Sequence, residues 1–200
     1  MISATDALKR LREGNRRFVD GTNDVARSIG EARRAELVEG QTPFAVILAC
    51  SDSRVPVELI FDQGLGDLFV IRVAGNIVAP SQIGSIEYAA TQLGVRLVLV
   101  LGHSNCGAVE ATLRELALQQ ENPSPNLRSI VDRIRPAVEP LMRTSDGVTL
   151  PKAVLANVRQ SVAQLRHGSE ILEQLIDKGD LTVVGAKYWI ETGEVRFFDD

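Results

Sequence analysis

Cysteine and histidine are scarce in this chain, at two each in 200 residues. No apolar run approaches the roughly 20 residues a helix needs to cross a bilayer. A basic excess is missing as well. The formal net charge is −4, the isoelectric point is near 5.3, and both signs are interspersed. That balance excludes the electrostatic footprint of a nucleic-acid binder and the polybasic arm of a membrane-surface protein. Residues 1–20 carry Lys9, Arg10, Arg12, Arg16 and Arg17 among Ala7, Leu8 and Leu11, so they lack the apolar stretch of a secretory signal. The chain has no repeat, low-complexity tract or linker. One domain over 1–200 is expected, in a soluble, cytoplasmic protein acting on a small or neutral partner. In that compartment the cysteines stay reduced, which favours metal binding or catalysis over a disulfide, although spacing alone does not exclude a bridge.

What is present is a set of short, doubly apolar runs. Residues 44–49, 67–73, 95–101 and 181–186 are rich in Val, Ile and Leu, the pattern of strands buried on both faces. Helical stripes lie between them: Ile83, Ile86, Ala90 and Leu93; then Val109, Leu113 and Leu116; then Leu127, Ile130, Ile134, Val138 and Leu141. A helix is predicted to begin near Pro151, carry Val154, Val158, Val162 and Leu165, and stop at Gly168, with Ser169 capping the next. Residues 188–198 read as a hairpin around Glu191-Thr192-Gly193-Glu194, adding an antiparallel edge strand. Pro123, Pro125, Pro136 and Pro140 are expected to kink or interrupt the middle helical region. The fold class is therefore α/β: a central, mostly parallel four-stranded sheet with an antiparallel edge strand, flanked by helices. Residues 1–40 form an N-terminal helical arm. Its stripe of Ala4, Ala7, Leu8 and Leu11 has little core of its own to cover and is expected to pack on a partner subunit.

Two motifs carry the chemistry. Cys50-Ser51-Asp52-Ser53-Arg54 follows the first apolar run and His103-Ser104-Asn105-Cys106 follows the third. In an open parallel sheet both lie on the rim where ligands collect, at the carboxyl ends of the strands. Cys106 enters from the start of the next helix, where thiolate is favoured. Two thiols and an imidazole supply three zinc ligands and leave a fourth position open, as in catalytic zinc. The same residues taken singly also read as buried thiols and a satisfied core histidine. Iron or cobalt stays open, although thiolate and imidazole favour zinc. If the segment is extended, Asp52 and Arg54 point the same way as Cys50 and bring a carboxylate and a guanidinium beside the metal. Paired with Arg54, Asp52 is restrained from taking the open position; the alternative is a helix cap with a surface ion pair. GLGDL and GHSNCG lack the spaced glycines of a dinucleotide loop.

On these segments, with GQTPFAVILAC, FDQGLGDLFVIRVAGN, GSIEYA and VVGAKYWIETGEVRF, nearly the whole chain resembles a β-class carbonic anhydrase. The resemblance implies interconversion of carbon dioxide and bicarbonate, with zinc on Cys50, His103 and Cys106. It implies water or hydroxide as fourth ligand while Asp52 is bonded to Arg54, and hydroxide attack on carbon dioxide. In the same family Asp52 swings onto the zinc in a resting state. Gln41, Phe69 and Tyr88 match residues lining an apolar carbon dioxide pocket at a dimer interface in plant-like members, and Gly102 and Gly107 are small beside it. The family assembles as dimers or multiples of dimers, so a homodimer or homotetramer is implied. Some members hold inhibitory bicarbonate with Trp, Arg and Tyr; here Arg72 and Tyr188 are at or near two of those positions but Ile47 stands for the Trp. Arg72 is therefore read as the partner of a carboxylate at the subunit interface, and His167 as a surface helix cap. A carbonyl sulfide or carbon disulfide hydrolase would use the same fold and ligands. A zinc-stabilised interaction protein would leave Asp52, Arg54 and Gln41 without a role.

Overall fold

A computed structural model describes residues 2–24, 30–119, 124–143 and 147–198. In chain order the helices are α1 (Ala4–Val19), α2 (Glu31–Glu36), α3 (Val57–Ile60), α4 (Pro80–Gln92), α5 (Gly107–Leu118), α6 (Pro125–Met142), α7 (Leu150–His167) and α8 (Glu170–Asp177). The strands are β1 (Ala45–Ala49), β2 (Leu68–Arg72), β3 (Leu97–His103), β4 (Thr182–Tyr188) and β5 (Val195–Phe198). They form one five-stranded sheet in the order β2-β1-β3-β4-β5. The first four are parallel and β5 closes the edge antiparallel, with Tyr188 opposite Val195. This is the expected α/β architecture. No helix among the described residues is long and apolar enough to cross a membrane.

The two-residue period of a strand explains why the apolar runs are unbroken. Ala45, Ile47 and Ala49 of β1, with Leu97, Leu99 and Leu101 of β3, face a core closed by α1 and α3. Val46, Leu48, Val98 and Val100 face the opposite core, closed by α4, α7 and α8. A third apolar cluster joins α5, α6 and α7 at one end of the sheet and contains both cysteines.

Two expectations need correction. The stripe on α1 covers the chain's own core: Ala7 and Leu11 are fully buried against Ile60 and Phe61 in the β1–β3 cluster. A Cβ at Gly14 would stand 1.8 Å from the Phe61 carbonyl oxygen, so α1 lies directly on that backbone. Asn15, buried below it, donates to the carbonyls of Ile60 (3.2 Å) and Gly193 (2.9 Å) and accepts from Val195 N–H (2.8 Å). The proline-rich segment, likewise, is not interrupted. From Pro125 to Met142 it is one helix with Pro136 and Pro140 inside, because Val131, Ile134 and Val138 bury a continuous face that outweighs the missing N–H bonds. Pro123 lies outside the described residues.

Candidate metal centre

β1 and β3 are neighbours with Ala49 opposite Leu101, so both end on the same rim. Cys50 is the first residue past β1 and His103 the last of β3. Cys106 is the N-cap of α5. The two sulfurs and a ring nitrogen of His103 lie within 4.8 Å of one another, and all three residues are buried. One small cation bridges donors at that spacing. Both thiols are free, so the open question of a disulfide resolves to a thiol pair.

The ring of His103 has a defined polarity. Nδ1 lies 2.8 Å from the Ser104 carbonyl, which only accepts, so Nδ1 is the donor and Nε2 a bare lone pair. Nε2 is fully buried and, among the described residues, meets no partner in hydrogen-bond geometry. A desolvated lone pair costs free energy unless something electrophilic meets it, and a metal ion is the natural occupant between two thiols. The two thiols are hydrogen-bonded to each other, and the bond acts on them in opposite directions. Cys50 is drawn down to about 4, first by the hydrogen bond from Cys106 and also by the Gly75 N–H at 3.3 Å. Cys106 is pushed up by the same bond and by burial. A cation would displace the proton of that bond, since the thiolate is what binds metal.

Asp52 and Arg54 meet through a turn rather than an extended segment. Val55 N–H donates to the Asp52 carbonyl at 3.0 Å, and Arg54 folds back on the carboxylate. Arg54 Nε donates to Oδ1 at 2.9 Å and Nη2 to Oδ2 at 2.8 Å, a bidentate pair, with Arg54 N–H adding a bond of 3.0 Å to Oδ1. These hydrogen bonds hold the Asp52 carboxyl well below the usual carboxylate range. Asp52 Oδ2 is 3.9 Å from His103 Nε2, beside the cluster and within reach of it.

Among the described residues of its own chain, Arg72 meets backbone carbonyls rather than a carboxylate. It donates to the carbonyls of Cys50 (3.1 Å) and Asp52 (2.5 Å) in its own chain, pinning the backbone on both sides of Ser51. Ile47 is inside the core, and Tyr188 ends β4, its carbonyl accepting from Ser104 N–H. His167 is exposed at the end of α7, 3.5 Å from Glu173.

Phe69 on β2 and Tyr88 on α4 stack as a tilted pair with centroids 6.3 Å apart, and Tyr88 is half exposed. Gln41 is exposed and lines a separate hollow with Arg34, Leu37, Gly40, Leu65 and Gly66. Within one chain it does not join the cysteines. Gly102 is buried in β3, where a Cβ would stand 2.4 Å from Val158 Cγ2, while a Cβ at Gly107 would meet open space.

Several supporting residues escape sequence reasoning. Asn157 and Ser161 on α7 are buried and donate to the carbonyls of Gly75 (2.8 Å) and Asn76 (3.0 Å), fixing the turn whose N–H reaches Cys50. Their polarity on an otherwise apolar helix face is the available signal. Glu191, beyond β4, accepts from Ser104 and Asn105, and nothing local marks it.

A family model described as carbonic anhydrase matches residues 45–195. A carbonic anhydrase of Mycolicibacterium smegmatis is 43% identical over 191 residues, covering 95% of this chain and 91% of that protein. Carbonic anhydrase 2 of Mycobacterium tuberculosis is 42% identical over 195 residues, covering 96% and 92%. The solved β-carbonic anhydrase CcaA superposes with a TM-score of 0.78 at 29% identity, covering 97% and 88%. With a cysteine, histidine, cysteine cluster on the sheet rim and these relatives along almost its whole length, the chain belongs to the β-class carbonic anhydrase family.

Proposed function

We propose that this protein catalyses the reversible hydration of carbon dioxide to bicarbonate and a proton, with zinc held by Cys50, His103 and Cys106. The observation that carries the reading is the buried, unpartnered His103 Nε2 facing two thiols in a carbonic anhydrase family chain. Two thiolates and one imidazole suit zinc better than the hard, oxygen-seeking cations. Bound through three protein ligands, zinc would lend Lewis acidity to water in its fourth position, favouring ionisation of that water to a nucleophile.

The chain's own residues supply the rest. Asp52, kept anionic by Arg54, accepts a hydrogen bond from the reacting water and aims its lone pair at the carbon. One carbon–oxygen bond forms while the negative charge spreads over the product oxygens. The released proton passes to solvent or buffer, since His167, the only other histidine, is exposed at the end of α7. If Arg54 lets go, Asp52 has only 3.9 Å to cover towards His103 Nε2, and it would then fill the fourth position as a resting state.

Phe69 and Tyr88, with Gln41 from a partner protomer, would form the carbon dioxide pocket, and Gly102 and Gly107 keep the adjoining backbone small. Gln41 lying outside its own chain's cluster supports a site completed across a homodimer, alone or in a dimer of dimers. The half-buried apolar edge strand β2 supports the same assembly, and the N-terminal residues would add to it beyond the contacts α1 makes at home. A cytoplasmic location fits a chain whose two cysteines stand as free thiols beside a histidine rather than as a disulfide.

Stopped-flow carbon dioxide hydration with a pH indicator, near neutral pH and again in alkaline buffer with metal quantified, tests the reading. Fast hydration that scales with zinc content is expected. Full zinc occupancy without hydration in either buffer would sink it, and sulfide release from carbonyl sulfide would then be measured.

A further inference from the structure

The segment between His103 and Cys106 has a demanding task. It leaves a strand, turns, starts a helix, and must aim one imidazole nitrogen and one sulfur at a common point. Its own conformation is not a relaxed one, since Asn105 has a φ of 56°, in the left-handed region. Helix α5 gives no help at its start, because the Cys106 N-cap makes no side-chain capping bond. Something outside the segment must hold it.

We infer that Glu191, in the turn between β4 and β5, is the positioning residue that locks the His103–Cys106 segment for metal binding. Its two carboxylate oxygens take one donor each from the two residues between the ligands. Ser104 Oγ–H donates to Oε2 at 2.8 Å and Asn105 Nδ2 to Oε1 at 2.8 Å. The hold is cross-braced, because Ile190 N–H donates to Ser104 Oγ at 3.0 Å and Ser104 N–H to the Tyr188 carbonyl at 2.9 Å. Both neighbours of the clamp touch the site. The Ser104 carbonyl accepts from His103 Nδ1 and so sets the tautomer that exposes Nε2. The Asn105 carbonyl accepts from Arg54 Nη2 at 3.2 Å, so the same clamp steadies the arginine that holds Asp52. One carboxylate thus supports a ligand histidine and the gate through adjacent peptides; groups bonded directly to a metal ligand typically contribute about 10- to 100-fold to metal affinity, and Glu191 acts one residue further out.

This inference rests on the reading of Cys50, His103 and Cys106 as metal ligands. The test compares the full-length wild type with Glu191→Ala and Glu191→Gln. Zinc affinity is read by competition with a chromophoric chelator, and the visible spectrum is recorded on the cobalt-substituted proteins. Glu191→Ala is expected to bind zinc about 10-fold more weakly, the lower end of that range, and to show altered cobalt bands. The glutamine keeps an acceptor for Asn105 and offers Ser104 a donor, so it is expected to recover most of the affinity. A stabilising role alone would lower the melting temperature and leave the spectrum unchanged. Wild-type affinity and spectrum in Glu191→Ala, or equal losses in both variants, would overturn the inference. If Glu191→Ala does not fold, Asn105→Gly removes one of the two donors while tolerating the left-handed backbone, and unchanged zinc affinity there would overturn it equally. A wild type that takes up no zinc would instead refute the ligand reading and leave Glu191 out of account.

Discussion

Asp52 Oδ2 stands 3.9 Å from His103 Nε2 while Arg54 Nη2 holds the same oxygen at 2.8 Å. A carboxylate that close to a bare imidazole nitrogen is both a hydrogen-bond acceptor for anything entering the cluster and a competitor for its occupant. The Arg54 bonds decide between these roles, and the turn through Val55 that brings Arg54 back makes the decision local to five consecutive residues, Ser51 to Val55.

Loss of one ligand tests the centre directly. Cys106→Ser replaces a soft thiolate by a poorly ionised hydroxyl, and its zinc affinity is expected to fall by more than about 100-fold, beyond the effect of an outer residue. Hydration activity should fall in step with bound zinc, as read by metal analysis on the same samples. Activity retained without metal would exclude the proposed chemistry.

The Asp52–Arg54 pair gives a pH dependence of known sign. The folded carboxyl is held below its ordinary value, so the unfolded state binds more protons as pH falls. The contribution is present above the unfolded carboxylate pKa of about 3.9 and is lost as pH drops through the lower folded value. Arg54→Gln removes most of it. In urea titrations of the metal-free proteins, the gap between wild type and Arg54→Gln is expected near neutrality and should close in acid. A gap that widens in acid would contradict the assignment.

Gly102 should not tolerate a side chain. A methyl group placed there would meet Val158 Cγ2 at 2.4 Å inside a packed core. Gly102→Ala is expected to destabilise by about 1–3 kcal/mol, the usual range for overpacking. Adding Val158→Ala should restore part of that loss, and denaturant titration of the three variants would detect the coupling.

Leu11 distinguishes a stripe that serves its own chain from one that serves a neighbour. It is fully buried within the described chain, so Leu11→Ala is expected to cost about 2–5 kcal/mol. Because the contact is intramolecular, the loss should not depend on protein concentration. A loss that vanishes on dilution would place the stripe at a subunit boundary instead.

The ligand set and the strands are legible in the sequence because both are local. A strand buried on two faces needs an unbroken apolar run, so Val46, Leu48, Val98 and Val100 announce their strands whatever surrounds them. Cys50 and His103 share a rim because parallel neighbours end together, a consequence of topology class rather than of detail. The helix through Pro136 and Pro140 is not legible, since its continuity depends on the face that Ile134 and Val138 bury against other helices. The stripe on α1 misleads for a similar reason: its own core is assembled from residues such as Phe61 that no periodicity connects to Leu11. Sequence does not reveal that Arg72 reaches the Cys50 and Asp52 carbonyls of its own chain, because 22 and 20 residues separate them and only the pairing of β1 with β2 brings them together. Glu191 and Ser104 are 87 residues apart, and Asn157 and Gly75 82 apart. Residue identity determined which groups were able to bind a metal; only the closed chain, which fixes distances between remote segments, decided which neighbours hold those groups in place.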